Sequence, residues 1–236
     1  DGHTTLSSLF STVNIGEPTF AAGLRVFPLF PLAPPTMRML TAKTATELGV
    51  LGIYEAPQGE GDWFRRLRFE NTGHKGVLVR DGDLFVAGKQ DRIADAPAYL
   101  PANTSATLPV SCVEQGRSSV RDRPDLTVAD VSANYPLRYQ RLARNQGRRP
   151  DQAATWRAVA SRRAAAGLEN ASGSLAEAQR HRRFSSEESE RAHRAVFNAS
   201  GMVVCRSTAT GPRVTYIEWF ADPEACASAW AATIRG

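Results

Sequence analysis

The chain has 236 residues, of which 42% are hydrophobic and 22% are charged, and this composition is typical of a folded globular protein. Its formal net charge of +5 is modest. The cysteines Cys112, Cys205 and Cys226 are far apart in the sequence, so they predict neither a disulfide framework nor a CxxC metal motif. Reduced thiols of this kind indicate a cytoplasmic location.

No segment of the sequence predicts export or membrane insertion. The first residues lack the basic start and apolar run of a secretory signal. The most apolar window, residues 24–35, is interrupted by four prolines, whereas a membrane span needs roughly 20 uninterrupted apolar residues. We therefore expect no membrane partner.

Short extended segments divided by turn residues dominate the chain up to its middle. Residues 24–30 predict a strand whose prolines suit a sheet edge. Residues 65–70 alternate in polarity, and the turn at 71–76 predicts a hairpin with residues 77–79. Strands this short predict an antiparallel β-sandwich or barrel-like part over residues 1–117.

Helical patterns dominate the second part, residues 118–236. Asp151 is placed to cap a long helix, and strands near residues 202–205 and 214–219 precede a final helix that begins at Pro223. We expect an α+β fold in which the N-terminal β part packs against a C-terminal helical part with a small β-hairpin and a final helix. The two parts also fit one continuous domain.

Polar side chains follow two of the predicted strands, at the point where each strand ends, and such positions are common sites of binding and catalysis. The candidates for binding an anion such as a diphosphate are Lys89, Gln90, Arg92 and Arg117. The alternative is a structural network of these cations with Asp83, Asp91 and Glu114.

The second of these strands also carries two candidate catalytic groups. Glu114 is placed either to act as a general base or only to pair with Arg92 or Arg117. Cys112 is a candidate nucleophile if nearby cations favour its thiolate, whereas its position on the inward face of the strand favours a buried structural role. The histidines are isolated and no phosphate-binding glycine loop occurs, so we expect no metal and no cofactor.

Arginine recurs at three- and four-residue spacing from Arg138 to Arg149, which predicts one face of a helix. Such a face either contacts nucleic acid or is simply solvated. Aromatic residues are sparse between these arginines, and this favours the solvated interpretation.

Four motifs resemble, in the same order, a bacterial family named for its association with ADP-ribosylglycohydrolases and rhodanese/phosphatase-superfamily proteins. They are Val26–Phe30, Lys89-Gln90 with Arg92, Pro109–Glu114 with Gly116 and Arg117, and Asp151-Gln152 with Trp156. The departures from the motifs are Leu84 for an acidic residue, Ala87-Gly88 for Gly-Ala, Asp91 for Asn and Ser118 for Trp. The chain resembles a divergent member.

The resemblance implies a link to ADP-ribose or nucleotide metabolism. We therefore favour an enzyme that acts on a phosphate-bearing, nucleotide-like small molecule by acid/base chemistry, with Glu114 and Cys112 as catalytic candidates. The candidate ligand-binding residues are Lys89, Gln90, Arg92, Arg117 and Gln152. The alternatives are a non-catalytic module that binds ADP-ribose or a partner protein, and a nucleic-acid-binding protein that uses the arginine-rich helix.

Overall fold

A computed structural model describes residues 8, 10–21, 23–56, 63–117, 125–138, 151–168, 173–181 and 185–236. These residues form an α+β fold of antiparallel sheets with helices, and the fold ends in a C-terminal helix. The predicted fold class is confirmed.

The strands in chain order are β1 (Val13–Ile15), β2 (Thr19–Ala21), β3 (Leu24–Pro31), β4 (Met39–Thr41), β5 (Leu51–Glu55), β6 (Arg66–Asn71), β7 (Gly76–Val79), β8 (Asp83–Ala87), β9 (Arg92–Ala94), β10 (Ala98–Leu100), β11 (Thr104–Cys112), β12 (Leu126–Ser132), β13 (Gly201–Thr208) and β14 (Gly211–Trp219). The helices are α1 (Ala42–Glu47), α2 (Gln152–Ala165), α3 (Leu175–Arg180), α4 (Ser186–His193) and α5 (Pro223–Arg235). A 3-10 turn spans Trp63–Arg65.

The chain divides into two compact units that each combine distant parts of the sequence. One unit contains residues 1–39 and 184–234, and the other contains residues 40–183 and 235–236. The first unit joins distant segments because β3, near the start of the chain, pairs with β13, which follows more than half of the sequence later. The division into segments 1–117 and 118–236 stays a prediction.

The first unit contains a five-stranded antiparallel sheet in the order β1-β3-β13-β14, with β2 also paired to β3. The prediction that β3 lies at a sheet edge is therefore wrong. Pro28 is tolerated because it lies between the stretch that pairs with β2 and the stretch that pairs with β1. Its missing N–H faces that gap, and its carbonyl accepts a hydrogen bond from the Gly16 N–H at 2.9 Å.

The second unit contains a three-stranded sheet, β10-β7-β4, and a six-stranded sheet, β12-β8-β9-β11-β6-β5. The predicted hairpin between β6 and β7 is wrong. Both edges of β6 are occupied by β5 and β11, so β7 pairs instead with β10 and β4. The turn between them is held by Asn71, whose amide nitrogen donates to the carbonyls of Lys75 and Pro101, each at 2.9 Å.

Alternating side chains place the six-stranded sheet between two apolar clusters. Phe85 and Ala94 join one cluster, in which Phe85 packs edge-to-face on Phe69 with ring centroids 5.2 Å apart. Their neighbours Leu84 and Ile93 point to the other face and pack with side chains of α2 and α3. Because this sheet is covered on both faces, polar groups at its strand ends are held by a rigid core.

The predicted helix starts at residues 151 and 223 are confirmed. The Asp151 carboxylate accepts from the Ala153 N–H at 2.9 Å, and the Asp222 carboxylate accepts from the Glu224 N–H at 3.0 Å. Among the helices in the described part of the chain, none is long and apolar enough to cross a membrane.

Ala87, the last residue of β8, adopts φ +74°, a left-handed conformation that costs a residue with a side chain roughly 1–2 kcal/mol. We expect Ala87→Gly to raise the free energy of unfolding by about 0.5–1 kcal/mol. Glycine relieves the strain in the folded state, and the greater conformational entropy of the unfolded chain offsets part of this gain. Urea denaturation measures the change. The matched control is Ala98→Gly in the regular strand β10, which should destabilise; a loss of stability in both variants would contradict the expectation.

Candidate functional site

The two segments that carry the predicted site residues lie side by side in the second unit. Residues 88–91 connect β8 to β9, and β9 pairs with the end of β11 so that Arg92 lies opposite Cys112. The Val113 N–H continues this ladder by donating to the Asp91 carbonyl at 3.0 Å. The structure therefore brings the polar ends of both strands together.

Arg117 lies at the centre of the polar groups. Its Nε and Nη2 donate to the two carboxylate oxygens of Glu114 at 3.0 and 2.6 Å, and its Nη1 donates to the Gly88 carbonyl at 2.6 Å. Nη2 also lies 3.2 Å from Oδ1 of Asp91. Burial alone would lower the pKa of Arg117, but the hydrogen bonds and charges of Glu114 and Asp91 outweigh it and raise the pKa. The guanidinium is thus a fixed cation that joins both segments.

Glu114 is completely buried, and both of its carboxylate oxygens accept hydrogen bonds. Besides Arg117, the Asp91 N–H donates to Oε2 at 3.0 Å. Asp91 extends the network, since its Oδ2 accepts from the Ser174 hydroxyl at 2.7 Å. Arg117 thus pairs with Asp91 and Glu114 as in the structural network weighed against anion binding, whereas Arg92 pairs with Glu55 and Asp83 pairs with Arg80. An acid/base role for Glu114 stays a prediction.

Gln90, Arg92 and Cys112 form a second set of contacts, which Gln90 Nε2 links to the first by donating to the Glu114 carbonyl at 3.3 Å. The side-chain carbonyl of Gln90 accepts from Arg92 Nη1 at 3.0 Å and from the Cys112 thiol at 3.3 Å. Arg92 is only 1% exposed, and its Nε has no hydrogen-bond partner among the described residues. Burial raises the pKa of the Cys112 thiol, although the cations Arg92 and Arg65 act in the opposite direction. These features favour the buried structural role of Cys112, and its role as a nucleophile stays a prediction.

Glu55, at the end of β5, is a member of this cluster that sequence reasoning missed. Its Oε1 accepts from the backbone N–H of Lys89 at 3.0 Å, and its Oε2 lies 3.8 Å from Arg92 Nη2. Oε2 is buried without a hydrogen-bond partner in the described part of the chain. The signal that could have found Glu55 is the same one that found Lys89 and Glu114, because it too is a polar residue directly after the apolar part of a strand.

Gln152, at the start of α2, contacts the backbone of β11. Its Oε1 accepts from the Cys112 N–H at 3.0 Å, and its Nε2 donates to the Cys112 carbonyl at 2.8 Å. The side chain therefore lies beside Cys112, another of the predicted site residues. Both amide atoms are used to hold the strand, and a direct contact with a ligand stays a prediction.

Comparison with known proteins adds one result. The sequence profile of the family described as the ARG and rhodanese-phosphatase-superfamily-associated protein domain matches residues 12–236. The chain belongs to this family. No curated protein and no solved structure matches it.

Two other arginines, Arg138 and Arg180, form ion pairs with aspartates. Arg138 makes two hydrogen bonds to the Asp81 carboxylate, at 3.1 and 3.2 Å, and Arg180 donates to Asp130 at 2.8 Å. Residues 139–150, which carry the rest of the arginine run, lie outside the described residues. Within the described ranges, no three His, Cys, Asp or Glu side chains lie close enough to hold a metal ion.

The buried pair of Glu114 and Arg117 makes a prediction for stability. We expect Glu114→Gln to lower the free energy of unfolding by about 3 kcal/mol, because the amide leaves the buried guanidinium without its main counter-charge. Urea denaturation followed by circular dichroism measures the loss. The control is Glu70→Gln on β6, whose side chain is 42% exposed and whose replacement should cost less than about 0.5 kcal/mol. Equal losses of unfolding free energy in the two variants would show that the Glu114–Arg117 pair stabilises the fold no more than an exposed carboxylate does.

The raised pKa of Cys112 makes a prediction for pH dependence. A raised thiol pKa stabilises the folded state at neutral pH, and this contribution is lost as the pH rises above the ordinary thiol value of about 8.5. We therefore expect Cys112 to react with iodoacetamide slowly at pH 7 and to accelerate at a higher pH in the folded protein than in the urea-unfolded protein. Peptide mapping by mass spectrometry follows this residue separately from Cys205 and Cys226. Fast modification at pH 7 would instead indicate an activated thiolate.

Proposed function

We propose that this domain binds a phosphate-bearing, nucleotide-like small molecule of the class that includes ADP-ribose, at the cluster of Gln90, Arg92 and Cys112, and acts on it by acid/base chemistry. The observation that carries the proposal is the buried guanidinium of Arg92. Its Nε–H has no hydrogen-bond partner among the described residues, and Oε2 of its ion-pair partner Glu55 lies 3.8 Å from Nη2.

A buried cation with incomplete hydrogen bonding supports anion binding for an energetic reason. Removing a guanidinium from water is costly unless its donors are satisfied, and a phosphate group offers the acceptors that its planar fork fits. Gln90 fixes the orientation of Arg92 through Nη1, so the direction of the remaining donors is set before a ligand arrives.

The other candidate ligand residues have different parts in the proposal. Lys89 and Gln90 lie next to Arg92 in the chain and are partly exposed, so their side chains are the proposed first contacts of the anion. Arg117 already donates to two carboxylates and two carbonyls. Its proposed contribution is therefore to hold the loop that carries Lys89 and to add one positive charge near the ligand.

The family description supports a nucleotide-related role, because it places such domains in association with ARG and the rhodanese-phosphatase superfamily. We further propose that the protein is a divergent bacterial member that works in the cytoplasm. The reduced cysteines support this location, since all three are buried as free thiols.

A non-catalytic binding module is the second candidate function, and the state of Glu114 favours it. Both oxygens of this carboxylate are engaged, so action as a general base requires Arg117 to release one of them when the ligand binds. Prolonged incubation with ADP-ribose, followed by chromatography, separates the two candidates. Product formation supports the enzyme, and saturable binding without product supports the module.

Arg92→Lys tests the binding site. The change keeps the positive charge but removes the planar fork, so we expect ADP-ribose to bind at least roughly tenfold more weakly in isothermal titration calorimetry. The matched control is Arg68→Lys on β6, where the side chain is 51% exposed and the affinity should not change. Circular dichroism verifies that both variants are folded, and unchanged affinity in folded Arg92→Lys would contradict the proposed site.

A further inference from the structure

We propose that Glu55 is a specificity residue that accepts a hydrogen bond from a sugar hydroxyl, so that the ligand of this site is a phosphorylated sugar rather than a bare phosphate or diphosphate. The inference rests on the proposed function, because it assumes that Arg92 holds the phosphate. It goes further by assigning the chemistry of the part of the ligand next to that phosphate.

The two oxygens of Glu55 are in different situations. Oε1 is anchored by the Lys89 N–H at 3.0 Å, which fixes the carboxylate against the loop after β8. Oε2 has no hydrogen-bond partner among the described residues, although it is buried. The side chain as a whole is 16% exposed, so it lies at the border between the core and the surface. One oxygen is thus held in place, and the other keeps its capacity to accept.

A carboxylate accepts hydrogen bonds but cannot donate one, and this determines which group of a ligand can lie beside it. A second phosphate oxygen beside Glu55 would be repelled, because both groups are negative and the site is shielded from water. A hydroxyl group can donate to Oε2, and such a charge-assisted hydrogen bond is stronger than a neutral one. With Arg92 Nη2 only 3.8 Å from Oε2, the pair presents a donor for phosphate beside an acceptor for hydroxyl.

The surroundings contain further polar groups suited to such a ligand. Gln90 brings the Cys112 thiol next to the pair of Arg92 and Glu55, because its side-chain carbonyl accepts from both Arg92 Nη1 and the thiol. The indole Nε1 of Trp156, one turn after Gln152 on α2, is also buried without a hydrogen-bond partner in the described residues. This side chain offers a donor and an aromatic ring, and both suit a sugar, which has polar edges and apolar faces.

The test compares two phosphate monoesters that share a ring and a phosphate but differ in hydroxyls, namely ribose 5-phosphate and tetrahydrofurfuryl phosphate. Calorimetry with the unmodified protein should give at least roughly tenfold tighter binding of ribose 5-phosphate, in line with one hydrogen bond to a charged group. Glu55→Gln should largely abolish this preference, because the neutral amide cannot form the charge-assisted hydrogen bond with the sugar hydroxyl. Glu70→Gln on the neighbouring strand β6 is the control and should keep the preference.

The outcomes separate the inference from the function on which it rests. If both monoesters bind equally to the unmodified protein, or if Glu55→Gln keeps the preference, the assignment of Glu55 is overturned while the anion site stands. If the unmodified protein binds neither monoester and does not bind ADP-ribose, the proposed function fails together with the inference. A purely structural role of Glu55 would weaken both ligands by the same factor and leave the ratio unchanged, which also overturns the assignment. Should Glu55→Gln not fold, Glu55→Asp and the preference of the unmodified protein decide the matter.

Discussion

The ion pair between Arg117 and Glu114 is the interaction on which the geometry of the candidate site depends. Two carboxylate oxygens, a loop carbonyl and a second carboxylate converge on one guanidinium, and this fixes the loop after β8 against the end of β11. The same loop carries the Lys89 N–H that donates to Glu55 at 3.0 Å. The ion pair therefore positions the groups proposed for ligand recognition, although it faces the interior itself.

Much of the fold could be predicted from local chemistry. Asp151 and Asp222 predict where their helices begin, because a carboxylate at the N-cap accepts from the first backbone N–H groups whatever the tertiary structure is. The proximity of Gln90 and Arg92 to Cys112 followed from the rule that strand ends gather polar groups, and the register of β9 on β11 and the hydrogen bonds of Gln90 agree with it.

Features that depend on which strands become neighbours could not be predicted in the same way. The turn after β6 has the composition of a hairpin, but hydrogen bonding to β5 and β11 leaves β6 no edge for β7. Pro28 likewise suits an edge, and only the gap between β1 and β2 lets it lie inside a sheet. The strand-end rule could have named Glu55 as a candidate, but not its meeting with Arg92, because that meeting depends on sheet order and side-chain period alone does not fix that order.

The amide of Gln152 replaces a neighbouring strand at the end of β11. Pairing with β6 stops at Pro109, so the backbone of Cys112 would otherwise present a bare donor and acceptor on that side. Exposed strand edges of this kind invite pairing with another chain. By occupying both groups, a single side chain from a helix leaves the Cys112 backbone no free donor or acceptor for a further strand on that side.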